Sequence, residues 1–566
     1  MEHHAMPDTW AAIDGLGRKL PMGAEVPEPR ENRTVGIFYW TWHNEPRNPP
    51  MNNTRIFREH PEAVHDVNHS MWQGEFRSHH WDEPLFGYYR TIDRWVLRKH
   101  AELLTDAMVD VVIFDNTNGT MTWKESYRAL METFAQARRD GVKAPAIAFL
   151  LPLFLNEPQF TRIQLRELYQ DVYKASFHQE LWFQWKGKPL IMAYPDVLDM
   201  NDPLDREIAG FFQFRPGQPS YVRGQERLDH WGWLSVYPQQ VYCNPDGTPE
   251  QITVGTAQNH SRELGLTAMN GENIFGRAYT SQGYDTRPDA KLRGANFAEQ
   301  FEYALQVDPE FIFITGWNEW IATRHAEWQG VVNAFPDQFD ESFSRDIEPC
   351  AGDLKDHYYY QMAAFIRRYK GVRPVPPALA EAHIDIGRPG AWANAGTTYL
   401  AYPGNTIHRD ADGYMTTHYN DASGRNDIVR CKVQHDATHL FFLVECRDAI
   451  TPPGGPGWMQ LYLRTQGGFA GWEGFDYIVN REKPGTVERS AGGWNWHKVC
   501  DVRTVLNGNA LEIEIPRDAI GLGGSAFELQ FKWADNSVTG GNPLDFYRHG
   551  DCAPGGRFTY VYRVGC

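Results

Sequence analysis

The chain of 566 residues contains no run of 18 apolar residues, so nothing in it reads as a membrane-spanning helix. Cysteine is scarce: there are 7, and no two are spaced as CxxC, which excludes zinc-ribbon and thioredoxin-type motifs. Five of the seven lie beyond residue 430, which permits disulfides there without fixing a pairing. Positive charge is short as well. Lys and Arg total 55 against 72 Asp and Glu, and the net charge of −17 makes nucleic-acid phosphates and anionic lipid poor partners. GxSxG, HExxH, Walker and GxGxxG patterns are missing from any working context, which sets aside elbow-type serine hydrolases, zincins, nucleotide phosphotransferases and dinucleotide enzymes. Aromatic residues, in contrast, are abundant: 31 Phe, 26 Tyr and 20 Trp make up 14% of the chain. Such a density excludes disorder and suits packed cores or surfaces that stack on sugar rings.

The length suggests two to four domains, or one large barrel with an appendage. Up to residue 370, eight short apolar runs recur at 35–42, 109–115, 144–151, 189–194, 211–215, 233–237, 252–258 and 311–316. Near-continuous apolar runs fit strands buried on both faces of a parallel sheet. Helical periodicity separates them, over 91–108 and 123–139 for example. The reading is an α/β chain with a (β/α)₈ TIM-type barrel over 31–372, after an N-terminal extension at 1–30; a doubly wound sheet is the alternative. A Pro-rich stretch makes 373–390 a linker. Beyond it, over 391–566, alternating short strands and frequent turn residues predict a C-terminal antiparallel β-sandwich.

A barrel of this kind places its active site where the strands end. Gly316-Trp317-Asn318-Glu319-Trp320 sets a carboxyl and an amide beside two indoles after the last run. Apolar surroundings raise a carboxyl's pKa, which suits a general acid; the plainer reading is a helix cap beside core Trp residues. Asp115, followed by Asn116, ends the second run and reads as nucleophile, base or sugar binder, or else as an Asx turn. Glycoside cleavage needs two such carboxyls. The third candidate is Glu83, in the long segment 43–89 that also holds His43, His79, His80 and Trp81. The adjacent His79 and His80 lack a spaced ligand set, so no catalytic metal is expected. Trp42, Asn259 and Glu272 complete the candidate binding residues, and Arg277 is read equally well as a structural ion-pair partner.

Gly316–Trp320, Asp115 and the aromatic first strand Phe38-Tyr39-Trp40-Thr41-Trp42 together resemble the barrels of glycoside hydrolase families 71 and 99. The resemblance implies acidic residues at the barrel mouth acting on a poly- or oligosaccharide without an obligatory metal, with Glu319 and, less directly, Asp115 in those positions. The end of the chain resembles family 9 carbohydrate-binding modules, through 424–427, 471–477, 515–517, 531–536 and 550–551. That resemblance implies structural calcium, with Asp427, Asp476, Asp535 and Asp551 as oxygen ligands, and sugar stacking by Trp458, Trp472, Trp494 and Trp496. Turn capping and interface packing are the plainer roles for these residues.

The expectation is therefore a glycoside hydrolase with Glu319 as acid/base and Asp115 or Glu83 as partner. The alternatives are a non-catalytic glycan-binding protein and another carbohydrate-active enzyme, a transferase or lyase. The first six residues carry no leader pattern, and the function read here implies a secreted or periplasmic protein whose leader is absent from this sequence.

Overall fold

A computed structural model describes residues 5–43, 49–72, 74, 77–466 and 468–565; the first four residues and Cys566 lie outside them. The six cysteines among the described residues are free thiols. No helix among the described residues is long and apolar enough to cross a membrane.

The apolar runs of the first 370 residues form parallel strands: β1 (Thr34–Tyr39), β2 (Val111–Asp115), β3 (Ala146–Leu150), β4 (Lys188–Met192), β5 (Gln213–Phe214), β6 (Gly217–Gln218), β7 (Trp231–Gly232), β8 (Pro249–Val254) and β9 (Phe311–Ile314). Pairing runs β8–β9–β1–β2–β3–β4–β5, and β6 pairs with β7. Helices α1 (Arg94–Asp106), α2 (Lys124–Arg139), α3 (Pro158–Leu168), α4 (Pro203–Phe211) and α5 (Ala295–Val307) lie between strands, and α6 (His357–Lys370) follows the last. Asp93 starts α1 by accepting hydrogen bonds from the amides of Trp95 and Val96, which would otherwise be unpaired.

The ring closes between β7 and β8 through a side chain. Gln251 accepts from Gly232 N at 2.8 Å and donates Nε2 to Gly232 O at 3.2 Å, standing in for a backbone ladder. β5 and β6 are two parts of one strand interrupted at Arg215–Pro216, so eight strand positions follow one another in the order of a (β/α)₈ barrel. The sixth strand differs from the sequence reading, which placed it at 233–237. The paired segment is Trp231–Gly232, and Trp233 turns inward to pack on Phe38 with ring centroids 4.4 Å apart.

Strand parity separates two cores. Phe38, Trp40, Val111, Ile113, Phe311 and Phe313 fill the barrel interior, while Ile37, Tyr39, Val112, Phe114, Ile312 and Ile314 face the helices. Gly36 has the inward parity, and a Cβ there would stand 2.5 Å from the Phe311 ring. Asp115 shares the parity of Val111 and Ile113, so β2 points it inward at the carboxyl end of the barrel.

Beyond residue 396 the described residues form two large antiparallel sheets and a two-stranded ribbon, Arg409–Asp412 with His418–Asp421. One has the order Thr397–Leu400, Ile428–His435, His439–Cys446, Ala510–Pro516, Arg503–Asn507; the larger is centred on Gln460–Arg464 and Phe527–Asp535. Their inner faces meet, Phe442 and Tyr399 of the first against Phe531 of the second at 5.9 and 5.0 Å between centroids. This part is locked to the barrel. Arg409 donates two hydrogen bonds to Asp93 at 2.7 and 2.9 Å, Arg557 pairs with Asp356 at 2.5 Å, and Ala11 bridges to Thr559.

Candidate active site at the carboxyl ends of the strands

A cavity of about 540 Å³ opens at the carboxyl ends of the strands. Trp42 follows β1, Asp115 ends β2, Phe154 follows β3, Tyr221 follows β6, Trp233 follows β7, Asn259 follows β8 and Glu319 follows β9, and all of them line it. The far wall is a segment with no regular element that carries Pro336, Asp337 and Arg345.

The sequence around Glu319 explains its position. After β9 the chain continues to Trp317, whose amide donates to Phe38 O at 3.0 Å, and whose carbonyl accepts from Ile347 N and Glu348 N at 3.2 and 2.9 Å. Glycine is required at 316, where a Cβ would lie 2.3 Å from the carbonyl oxygen of Arg345. That close approach brings Arg345 to Glu319, with Nη2 3.2 Å from Oε2 and 3.4 Å from Oε1. The same nitrogen reaches Asp337 Oδ1 at 3.2 Å. Asp346 accepts from Glu319 N at 2.7 Å and from Trp81 Nε1 at 3.1 Å, which fixes the backbone under the carboxyl.

Three enclosed carboxyls, Glu319, Asp115 and Asp346, lie around Arg345 with the half-exposed Asp337, and burial raises all three. Burial pushes Glu319 well above the ordinary carboxyl range; Arg345 opposes the shift, and Asp337, Asp346 and Asp115 add to it. Asp115 is raised to about 6 by burial, against its hydrogen bonds from Thr117 N and Oγ1 at 3.0 and 2.7 Å. Asp346 is also raised to about 6 by burial. Arg345, with Arg277 acting on Asp346, offsets the burial only in part, so the enclosed carboxyls hold their protons to higher pH than free ones.

Buried polar atoms without a hydrogen-bond partner among the described residues belong to residues that line the same cavity: Asp115 Oδ2, Arg345 Nε and Nη1, and the indole nitrogens of Trp40 and Trp42. Such atoms await a polar ligand. Trp40 and Trp42 are 4.4 Å apart and form an aromatic wall beside them.

The other sequence candidates lie elsewhere. Trp81 and Trp320 stack at 4.4 Å and 14° in the core, and Trp317 is fully buried, so none lines the cavity. Trp320 donates to Glu348 Oε2 at 2.6 Å, in a buried network with Tyr89 and His100. Asn318 accepts from Trp40 N at 2.8 Å and ties the ends of β1 and β9 together. Asn116 is buried, with Nδ2 donating to Met121 O. His43 packs on Tyr89 at 5.2 Å, next to residues 44–48, which are outside the described residues. His79 faces Asn53 Oδ1 at 2.9 Å, and His80 packs between Tyr88 and Tyr414, so the pair assembles no metal set. Glu83 does not line the cavity; its segment folds back, with Glu83 O accepting from Ala351 N, and the carboxyl faces Arg55 and Arg548. Glu272 is exposed outside the cavity lining. Arg277 is fully buried and donates to Asp346 O at 2.7 Å.

In the C-terminal part, each of the four aspartates that the resemblance offers as calcium ligands also has a protein partner. Asp427 accepts from Gly404 N and pairs with Arg447, Asp476 accepts from Thr465 N, Asp535 pairs with Arg425, and Asp551 accepts from Ile428 N. Trp458, Trp472 and Trp496 are buried, and Trp494 packs on Trp472 at 4.6 Å.

Asp337, Arg345, Asp346, Tyr221 and Trp233 were not singled out in the sequence. Asp337 and Arg345 lie in an aperiodic segment, and the only signal there is the density of acidic and aromatic residues over 335–348.

No protein-family model matches the chain, and no curated protein matches it. Among solved structures it is similar to the GH99 endo-alpha-mannosidase from Bacteroides thetaiotaomicron, at 16% identity over 61% of this chain and 99% of that one, with a TM-score of 0.34. A second structure of that enzyme, in complex with bis-tris-propane, gives 16% identity over 60% and 97%, with a TM-score of 0.32. A structure described as a glycoside hydrolase gives 9% identity over 91% and 98%, with a TM-score of 0.27.

Proposed function

We propose that the chain is a glycoside hydrolase acting on a poly- or oligosaccharide, with Glu319 as proton donor and Asp115 as the partner carboxyl. One observation carries the reading: two carboxyls of unlike surroundings share an aromatic-walled cavity at the strand ends. Burial keeps Glu319 protonated, ready to protonate a leaving glycosidic oxygen. Asp115, whose Oδ2 has no hydrogen-bond partner among the described residues, ionises above about 6 and acts as nucleophile or as base for water. Arg345 and Asp337 orient Glu319, and the indole nitrogens of Trp40 and Trp42 supply donors for sugar hydroxyls. The two C-terminal sheets are read as a β-sandwich like a carbohydrate-binding module, and export to where glycans are met belongs to the same reading.

The test is product analysis on a panel of plant, algal and microbial glycans with wild type and Asp115→Asn. The expected result is chain cleavage by wild type and a loss of about 10²–10⁴-fold in kcat for the variant. Binding without cleavage by wild type would favour a non-catalytic glycan-binding protein instead.

A further inference from the structure

The excursion between β1 and α1 carries a group of side chains with no part in the cavity chemistry. His60 ends the helix Asn53–Glu59, Glu62 sits in the one-turn helix Pro61–His65, and His69 precedes the turn Ser70–Trp72. Both imidazoles aim at one carboxylate oxygen: Glu62 Oε1 lies 3.2 Å from His60 Nδ1 and 3.4 Å from His69 Nε2. Three donor atoms, one from each residue, lie within 4.8 Å of one another. Bonds of about 2.0–2.2 Å to a tetrahedral zinc ion place its ligands about 3.3–3.5 Å apart, the separation already present between oxygen and nitrogen.

The backbone holding these groups is fixed from below. Trp72 is buried, and its indole nitrogen donates to Ala63 O and Asp66 O at 3.1 and 2.9 Å, closing the loop between the two histidines. Asn333 donates to Ala63 O and Val64 O, both at 3.0 Å, and Trp72 packs on Phe335 at 5.6 Å. Phe335 immediately precedes Pro336 and Asp337 of the cavity wall. The ligand side is open: the side chains of His60, Glu62 and His69 are 42%, 62% and 16% exposed, leaving room for water as a fourth ligand.

We propose that His60, Glu62 and His69 bind a divalent transition metal, with zinc the best match, and that the ion braces the loop 60–69, which packs beside the wall carrying Asp337. Two imidazoles and one carboxylate are a zinc ligand set, and the exposed position leaves exchange with solvent open. Binding at His69 Nε2 moves that ring's proton to Nδ1 and gives up the 3.4 Å contact from Met71 N.

The test uses the full chain, stripped with EDTA, desalted and titrated with Co²⁺ and then Zn²⁺. The expected result is one Co²⁺ per chain with visible d–d bands of a four-coordinate site, displaced by Zn²⁺, and a Tm raised by about 2 °C or more with Zn²⁺. Both signals are expected to vanish in His60→Ala/His69→Ala and to need at least tenfold more metal in Glu62→Gln. The replaced groups are partly exposed, so the variants should keep the wild-type circular dichroism. Absence of a bound equivalent in wild type would overturn the proposal. So would bands, sulfur charge-transfer absorption or a Tm shift that survived unchanged in the double variant.

Discussion

Arg345 Nη2 donates to Glu319 Oε2 at 3.2 Å, and each side chain is only 3% exposed. The pair exists because Gly316 lets the backbone at 345 approach within a distance that no side chain would allow. In this account Arg345 sets the orientation and acidity of the proton donor.

Removing that cation is expected to leave Glu319 harder to ionise. Arg345→Met should lower kcat by about 10–100-fold and move the alkaline limb of the pH–rate profile upward, because Arg345 is the group that opposes the rise in Glu319. The hydrogen bonds of Arg345 to Glu319 and Asp337 are lost as well, at a cost of about 1–3 kcal/mol of stability, read as a lower denaturation midpoint.

The wild-type profile of kcat/KM against pH is expected to be bell-shaped. Activity should rise as Asp115 loses its proton near 6 and fall where Glu319, held well above its ordinary range by burial, loses its own. The stability sign runs the other way. Asp115 and Asp346 bind protons more tightly folded than unfolded, so their contribution is complete below about pH 4 and is lost as pH rises through about 6. Asp346→Asn should therefore flatten the decline in Tm between pH 4 and 7.

Gly316→Ala tests the close approach itself. Its Cβ must displace the Arg345 carbonyl, and the expected cost is about 1–3 kcal/mol, with a loss of activity larger than an unrelated core substitution of equal cost produces. Urea denaturation and kcat measured on the same preparation check both parts.

Two tryptophans near the motifs should behave differently. Trp81→Ala empties a fully buried position stacked on Trp320, and should cost about 3–5 kcal/mol. Trp42→Ala acts on a cavity wall, and is expected to raise KM about tenfold with a smaller change in Tm.

Much of the barrel was legible in the sequence because parallel strands bury both faces, so β1, β2, β3, β4, β8 and β9 appear as apolar runs. The sixth strand was misplaced because its pairing is only Trp231–Gly232, and the seam is closed by the Gln251 side chain, which has no periodic signature. Asp115 and Glu319 stand out because each follows an apolar run directly. Asp337 and Arg345 do not, since what places them is contact across the chain: Gln338 Oε1 accepts from Arg345 N at 2.9 Å, and Arg345 meets Glu319. Glu83 and the indoles of Trp81, Trp317 and Trp320 illustrate the converse. Proximity in sequence to a carboxyl or to a barrel end says nothing about which way a side chain faces once a loop folds back.

The most direct measurement is turnover of the cleaved glycan by Glu319→Gln, alongside binding of the same glycan by calorimetry. The account predicts that the variant binds within a few-fold of wild type and loses kcat by about 10²–10⁴-fold. Unchanged turnover in Glu319→Gln would contradict it.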